Sequence, residues 1–208
     1  LDAAADHDSG EDQVDGFVTT WYDQSGEGND ATQAVTSSQP KIVDAGVLVT
    51  DGLLFDGVND YLYNATVTTS SASDTVALVG TVSANGGSFV DSHNGGSGTA
   101  YARAIGYNTA NTEFTAYYKN IVDYTYGAFT SNQSLHFIVK NQYGSLNGVT
   151  DSLTNGTVTL NGLRVGIGRT LGNPLDGSIQ ELIIYDSDQS SNRVAIEGNI
   201  NTEYNIYP

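Results

Sequence analysis

A chain of 208 residues carrying 24 Asp+Glu against 7 Lys+Arg, a formal charge of -17, holds one large domain and is repelled by nucleic-acid backbones, whose capture needs Lys and Arg. The charge opposes docking to anionic membranes and favours solubility and divalent cations, and it also suits a salty environment. With no Cys there is no disulfide framework or thiolate chemistry, and no apolar run approaches the roughly 20 residues of a membrane span, which excludes membrane insertion by a helix.

Residues 1–15 are acidic and poorly patterned (Asp6-His7-Asp8-Ser9-Gly10-Glu11-Asp12), which predicts a flexible lead-in before a domain over 16–208. The opening Leu1-Asp2-Ala3-Ala4-Ala5-Asp6 lacks the parts of a signal peptide and fits a fragment of something longer. Phe17 to Tyr22 then alternates Phe17, Thr19 and Trp21 with Val18, Thr20 and Tyr22, predicting one strand with Trp21 in the core. Strands follow at Lys41–Val43, Leu53–Phe55 and Tyr61–Tyr63, and at Thr75–Val82, whose two faces both read as buried. Further strands are predicted at Ser88–Asp91, Tyr101–Tyr107, Glu113–Lys119, Leu135–Lys140, Gly144–Leu146, Thr157–Leu160, Leu163–Gly168 and Ile179–Tyr185. Asp51-Gly52, Asp56-Gly57, Asn147-Gly148, Asn155-Gly156, Asn161-Gly162 and Asp176-Gly177 supply residues that tolerate positive φ, as tight hairpins require. Short strands separated by such turns indicate an all-β sandwich or barrel. At the end, Asp186-Ser187-Asp188 can cap a helix from about Gln189 to Tyr204, weakened by Gly198 and Asn201.

Three stretches carry a family likeness. They are Trp21-Tyr22-Asp23-Gln24-Ser25-Gly26-Glu27-Gly28-Asn29-Asp30-Ala31; Leu54-Phe55-Asp56-Gly57-Val58-Asn59-Asp60-Tyr61-Leu62; and Leu163-Arg164-Val165-Gly166-Ile167-Gly168-Arg169 followed by Leu175-Asp176-Gly177-Ser178-Ile179-Gln180-Glu181-Leu182-Ile183-Ile184-Tyr185. Together they resemble the concanavalin A-like lectin/glucanase superfamily, and within it the laminin-G-like domains of bacterial surface and phage proteins. The resemblance implies a two-sheet antiparallel jelly-roll sandwich with a short C-terminal helix. It also implies a place outside the cell, on a cell surface or a virion. The first stretch is similar, too, to one in the catalytic domain of family 54 arabinofuranosidases, whose catalytic carboxylates find no residue-by-residue match in this chain.

Glycoside hydrolysis needs two carboxyls facing each other across the scissile bond. The E-x-D-x-E strand of the family's glucanases does not occur, and Glu113 and Glu181, the Glu residues on predicted strands, have no carboxylate two positions away. Asp23, Asn29 and Asp30 on the glycine-rich loop offer hard oxygen ligands for Ca²⁺; the other reading is that Asp23 and Asn29 hydrogen-bond the loop's own backbone. Asp6-x-Asp8-x-Gly10-x-Asp12 also has calcium-loop character, with Phe17 where the bidentate Glu would stand. Tyr101, Tyr107, Tyr117, Tyr118, Tyr124 and Tyr126 crowd the middle third beside His93 and Arg103, and aromatic platforms with planar polar groups bind sugars. Tyr117, Tyr118, His93 and Arg103 are therefore the candidate carbohydrate-binding residues, although Tyr117 and Tyr118 must face opposite sides of a strand. The expectation is a non-catalytic carbohydrate-recognition or adhesion module for a cell-surface or matrix glycan. The alternatives are a structural or decorating domain that packs against neighbouring protein subunits, and a glycoside hydrolase relative.

Overall fold

The computed structural model describes residues 14–69, 74–83, 86–92, 103–107, 113–118, 123–128, 130–139, 142–152, 160–168 and 170–208. Among them the strands are β1 (Gly16–Phe17), β2 (Thr20–Trp21), β3 (Ala31–Thr32), β4 (Lys41–Asp44), β5 (Val47–Leu48), β6 (Leu53–Asp56), β7 (Leu62–Thr68), β8 (Thr75–Val82) and β9 (Ser88–Asp91). They continue as β10 (Arg103–Tyr107), β11 (Glu113–Tyr118), β12 (Asp123–Ala128), β13 (Ser134–Val139), β14 (Tyr143–Leu146), β15 (Val149–Ser152), β16 (Asn161–Val165) and β17 (Asp176–Tyr185), before helix α1 (Arg193–Tyr204). A nine-stranded sheet runs β1-β4-β6-β17-β8-β13-β14-β15 with β5 also on β4, and an eight-stranded sheet runs β12-β11-β10-β9-β16-β7-β3-β2. Among the described residues every strand pairing in both sheets is antiparallel, the arrangement of a jelly-roll sandwich.

Alternation along each strand sends one set of side chains between the sheets. Phe55, Leu62, Leu78, Phe89, Ile105, Phe114, Ile138 and Val165 form that core, each at most 1% exposed. Burial of each such side chain stabilises the fold by roughly 1.5–3 kcal/mol. On β9 a register shift against β10 allows the consecutive Phe89 and Val90 both to join the core. A second cluster, Ala77, Val79, Leu135, Phe137 and Val139, lies on the other face of β8 and β13, where Ile200 of α1 covers it. That is why Thr75–Val82 carries apolar residues at both parities.

Several expectations are corrected. Phe17 to Tyr22 is not one strand: β1 pairs with β4 in the nine-stranded sheet and β2 with β3 in the eight-stranded one. The chain crosses between sheets at Val18-Thr19, leaving Phe17 44% exposed while Trp21 packs against the core. Asn147-Gly148 does form the expected tight hairpin, with φ of 49° and 79° between β14 and β15. Asn161-Gly162 instead lies in β16 at a bulge, and Asp176-Gly177 lies in β17. Gly177 is there for close approach, since a Cβ would stand 2.2 Å from the Thr81 carbonyl oxygen. Asn155-Gly156 and residues 157–159 of the predicted Thr157–Leu160 strand lie outside the described residues, and Leu160 is buried next to β16.

Asp188 Oδ1 accepts from the Ser190 N–H at 2.8 Å, so the expected acidic cap serves the 3-10 turn Ser190–Asn192 ahead of α1. Asn201, expected to weaken the helix, anchors its exit. Its Oδ1 accepts from the Ile206 and Tyr207 N–H groups at 2.8 and 3.0 Å, its Nδ2 donates to the Tyr207 carbonyl at 2.8 Å, and Asn205 takes the left-handed conformation (φ 49°). Ile206 and Tyr207 are thereby held on the second core cluster. Of the lead-in predicted over residues 1–15, residues 1–13 lie outside the described residues; Val14 accepts from Gly46 N–H, and Asp15 accepts from Ala45 N–H and pairs with Lys41 at 2.7 Å.

Candidate functional site

One row of side chains crosses five strands on the outward face of the eight-stranded sheet. The register opposes Thr20 to Thr32, Thr32 to Tyr63, Tyr63 to Arg164 and Arg164 to Asp91. The neighbouring inward row is Leu62, Val165 and Val90, all in the core, so alternation turns the half-buried Tyr63 and Arg164 away from it, with Asp91 opposite Arg164 but itself only 5% exposed. Tyr61, two residues before Tyr63, shares its face: the ring centroids are 6.0 Å apart with planes inclined by 36°. The Arg164 guanidinium carbon lies 5.9 Å from the Tyr61 ring centroid, and Nη1 donates to the Gly168 carbonyl at 3.4 Å.

The tyrosines stand on a braced backbone. Tyr61 N–H donates to the Ser38 carbonyl at 3.0 Å, and the Tyr61 carbonyl accepts from Gln33 Nε2 at 3.3 Å. Gln33 is 2% exposed; its Oε1 accepts from Val35 N–H and its carbonyl accepts from Gln39 Nε2 at 2.7 Å. Just before Tyr61, the buried Asp60 carboxylate accepts from Asp56 N–H at 3.1 Å, while Asp56 Oδ1 accepts from the Val58 and Asn59 N–H groups. Burial, and then the neighbouring Asp56 charge, push the Asp60 carboxyl up to about 6. The motif Asp56-Gly57-Val58-Asn59-Asp60-Tyr61 is thus a self-bonded turn that presents Tyr61.

Of the sequence-predicted sugar residues, Arg103, Tyr117 and Tyr118 belong to strands of the same sheet, beyond β9. Arg103 opposes Tyr118 and Ala104 opposes Tyr117 across β10 and β11. The side chains of Arg103, Tyr117 and Tyr118, and all of His93, lie outside what is described.

The loop between β2 and β3 is closed by its own acids. Asp23 Oδ1 accepts from Ser25 N–H at 2.8 Å; Oδ2 accepts from Ser25 Oγ at 2.8 Å and from Asn29 N–H at 2.9 Å. Asp30 Oδ1 accepts from Asp23 N–H at 2.8 Å, and the Asp30 carbonyl accepts from Asn64 Nδ2, tying the loop to β7. These donors, the Ser25 and Asn29 N–H groups first, hold the Asp23 carboxyl below its usual range. The backbone bonding weighed against calcium in the sequence is formed at Asp23, which accepts the Ser25 and Asn29 N–H groups. Among the described residues no three His, Asp or Glu side chains gather as a metal site. The Asp6–Asp12 segment lies outside them.

Glu181 points to the opposite surface. Burial pushes its carboxyl up, the Tyr204 hydroxyl of α1 hydrogen-bonds it, and Glu203 adds negative potential. It belongs to the helix–sheet junction, remote in the fold from the tyrosine row.

Tyr61, Tyr63 and Arg164 were not singled out from sequence. Alternation around Leu62 and between Leu163 and Val165 could have put them on outward faces, but nothing local pairs β7 with β16, about 100 positions later.

No protein-family model and no curated protein matches this chain. Solved structures similar to it include Trypanosoma rangeli sialidase in complex with sialic acid, at 14% identity and TM-score 0.61 over 88% of this chain and 31% of that one. A GH54 α-L-arabinofuranosidase soaked with a cyclic sulfate inhibitor is similar at 16% identity and TM-score 0.55, over 89% of this chain and 51% of that one. An arabinofuranosidase complexed with arabinofuranosyl-α-1,2-xylobiose gives 16% and 0.55, over 87% and 50%. The chain spans between about a third and about half the length of these proteins. At such identities the likeness establishes a shared β-sandwich fold.

Proposed function

We propose that this domain is a non-catalytic carbohydrate-recognition module, concanavalin A-like and of the laminin-G-like type, displayed on a cell surface or virion to engage a cell-surface or matrix glycan. The observation that carries the reading is the convergence of Tyr61, Tyr63 and Arg164 from separate strands onto one outward sheet face, with Tyr61 held at both its N–H and its carbonyl. Half-buried tyrosines offer an apolar ring to a sugar's C–H face and a hydroxyl to its rim, and braced positions lose little freedom on binding. Support also comes from the arabinofuranosyl-α-1,2-xylobiose ligand of a fold relative, which belongs to that protein. Arg103, His93 and the one of Tyr117 and Tyr118 that faces outward remain sequence candidates for glycan contact, since adjacent residues of a strand face opposite sides.

A glycan array of the purified domain tests this. Selective binding that falls at least tenfold in Tyr63→Ala and in Arg164→Ala, at unchanged melting temperature, is the expected result. Binding that survives both substitutions would remove the site.

A second reading, a decorating domain packed on a neighbouring subunit, draws on another observation. Val14, Val47 and Leu48 are 72%, 66% and 64% exposed around the β4–β5 hairpin, where Gly46 N–H meets the Val14 carbonyl. A blank array with self-association abolished by Leu48→Glu would favour it.

A further inference from the structure

We infer that the tyrosine row takes a short, uncharged oligosaccharide, one or two rings deep, and rejects acidic glycans and the flat faces of crystalline polysaccharides. This rests on the glycan reading above and adds the ligand's charge and shape.

The charge follows from the register. Arg164 is the cation of the row, and its directly opposed neighbour on β9 is Asp91. Side chains opposed in this way have Cβ atoms about 4.5–5.5 Å apart, so the row Thr20, Thr32, Tyr63, Arg164, Asp91 carries no net formal charge. The surrounding chain carries -17, and Asp23, Glu27 and Asp30 sit on the loop that joins β2 to β3 at the end of the same sheet. A uronate, sialate or sulfated sugar would meet one guanidinium already engaged with the Tyr61 ring and the Gly168 carbonyl, against the repulsion of the whole molecule. A neutral sugar escapes that repulsion. Its hydroxyls both donate and accept, matching Arg164 as donor and the Thr20, Thr32 and Tyr63 hydroxyls as either.

The shape follows from the rings. With planes inclined by 36° at a 6.0 Å separation, Tyr61 and Tyr63 do not make one flat platform. A ribbon-like polysaccharide face needs coplanar rings to lie flat on, and these two cannot both lie flat beneath one ribbon. A single sugar ring or a branch residue needs only one of the two tyrosines to stack on.

The test uses the whole 208-residue chain. Its arms are immobilised neutral arabino-, xylo-, galacto- and gluco-oligosaccharides, the same cores bearing uronate, sialate or sulfate, and sedimentation with microcrystalline cellulose and chitin. The expected result is binding to a neutral arm at least tenfold tighter than to its acidic counterpart. That binding should change less than about twofold between low salt and salt high enough to shrink the Debye length to about 3 Å, with the protein left in the supernatant of the insoluble polysaccharides. Acidic glycans bound preferentially, with affinity lost in high salt and in Arg164→Ala, would overturn the inference and leave glycan recognition standing. Co-sedimentation lost in Tyr63→Ala would do the same. No binding in any arm would overturn the glycan reading, and this inference with it.

Discussion

Lowering the pH from 7 to 5 is expected to weaken the fold by about 2 kcal/mol through His136 alone. On β13 its side chain points between the sheets, fully buried, with the Phe114 ring edge-on at 4.4 Å, the Phe89 ring at 5.2 Å and Nε2 2.8 Å from Ser134 Oγ. Burial among these rings pushes the imidazole down from 6.5 to about 3. The folded value lies below the unfolded one, so between pH 6.5 and 3 it is the unfolded chain that binds the proton. The stabilisation is whole above 6.5 and is lost as the pH falls through that window, at 1.36 kcal/mol per unit, hence about 2 kcal/mol at pH 5. Asp60 acts in the opposite sense. Its folded value, about 6, lies above the unfolded 3.8, so falling pH between 6 and 4 strengthens the fold, by about 1 kcal/mol at pH 5. The wild-type curve therefore mixes two opposed terms, and the measurement has to be a difference. Urea unfolding of wild type and His136→Leu at both pH values isolates the imidazole, because Ser134 Oγ keeps the Gly80 carbonyl at 3.4 Å in the variant. Wild type should lose about 2 kcal/mol more than the variant. Parallel losses, or an imidazole NMR titration centred near 6.5, would refute the reasoning.

Asn201→Ala removes three hydrogen bonds that fix the chain after α1 and should cost about 1–3 kcal/mol, with faster amide exchange at Ile206 and Tyr207 as the local signature. Gly166→Ala should cost about 3 kcal/mol or more in chemical denaturation, since φ is 87° and the new Cβ would stand 2.2 Å from Cε1 of the buried Phe55. Millimolar calcium and chelator should give the same melting temperature, because Asp23 already accepts three donors of its own loop; a rise of several degrees with calcium would show a cation replacing them.

The strands that could be read from the chain are those whose alternation and end signals agree. Thr75–Val82 and Ser88–Asp91 have the boundaries expected of them, since both are long enough, or apolar enough, to carry their own pattern. Strands of two residues carry none. Ala31–Thr32 and Val47–Leu48 exist because their partners exist, and the β4–β5 hairpin turns on Ala45 at φ 49°, a residue that sequence does not mark for the left-handed region. The crossing at Val18-Thr19 fails for a related reason. Residues 17–22 alternate well enough for one strand, and only the separate demands of β4 and β3 divide them between two sheets. Asn201 has a poor intrinsic helix propensity, yet its side chain folds back on the exit turn and satisfies backbone groups that would otherwise be orphaned, a role set by residues 206 and 207 and invisible to propensity.

The candidate site was harder to read because its chemistry depends on strand neighbours far apart in the chain. Searching for aromatic density leads to the middle third, where tyrosines are frequent. The row on β7, β16 and β9 contains one Tyr, one Arg and one Asp, each unremarkable in its own segment. What makes them a surface is the register: β16 inserts between β7 and β9, which places Arg164 between Tyr63 and Asp91 at once. The third family-like stretch contains Arg164 and the second contains Tyr61, so the segments that carry the fold resemblance also deliver the site, one through a self-bonded turn and the other through a core strand. Moving β16 by one residue would turn Arg164 into the core and Val165 out to solvent. The anchored inward row of Leu62, Val165 and Val90 opposes that slip, so the hydrophobic core between the sheets is also what aims the cation at the tyrosines.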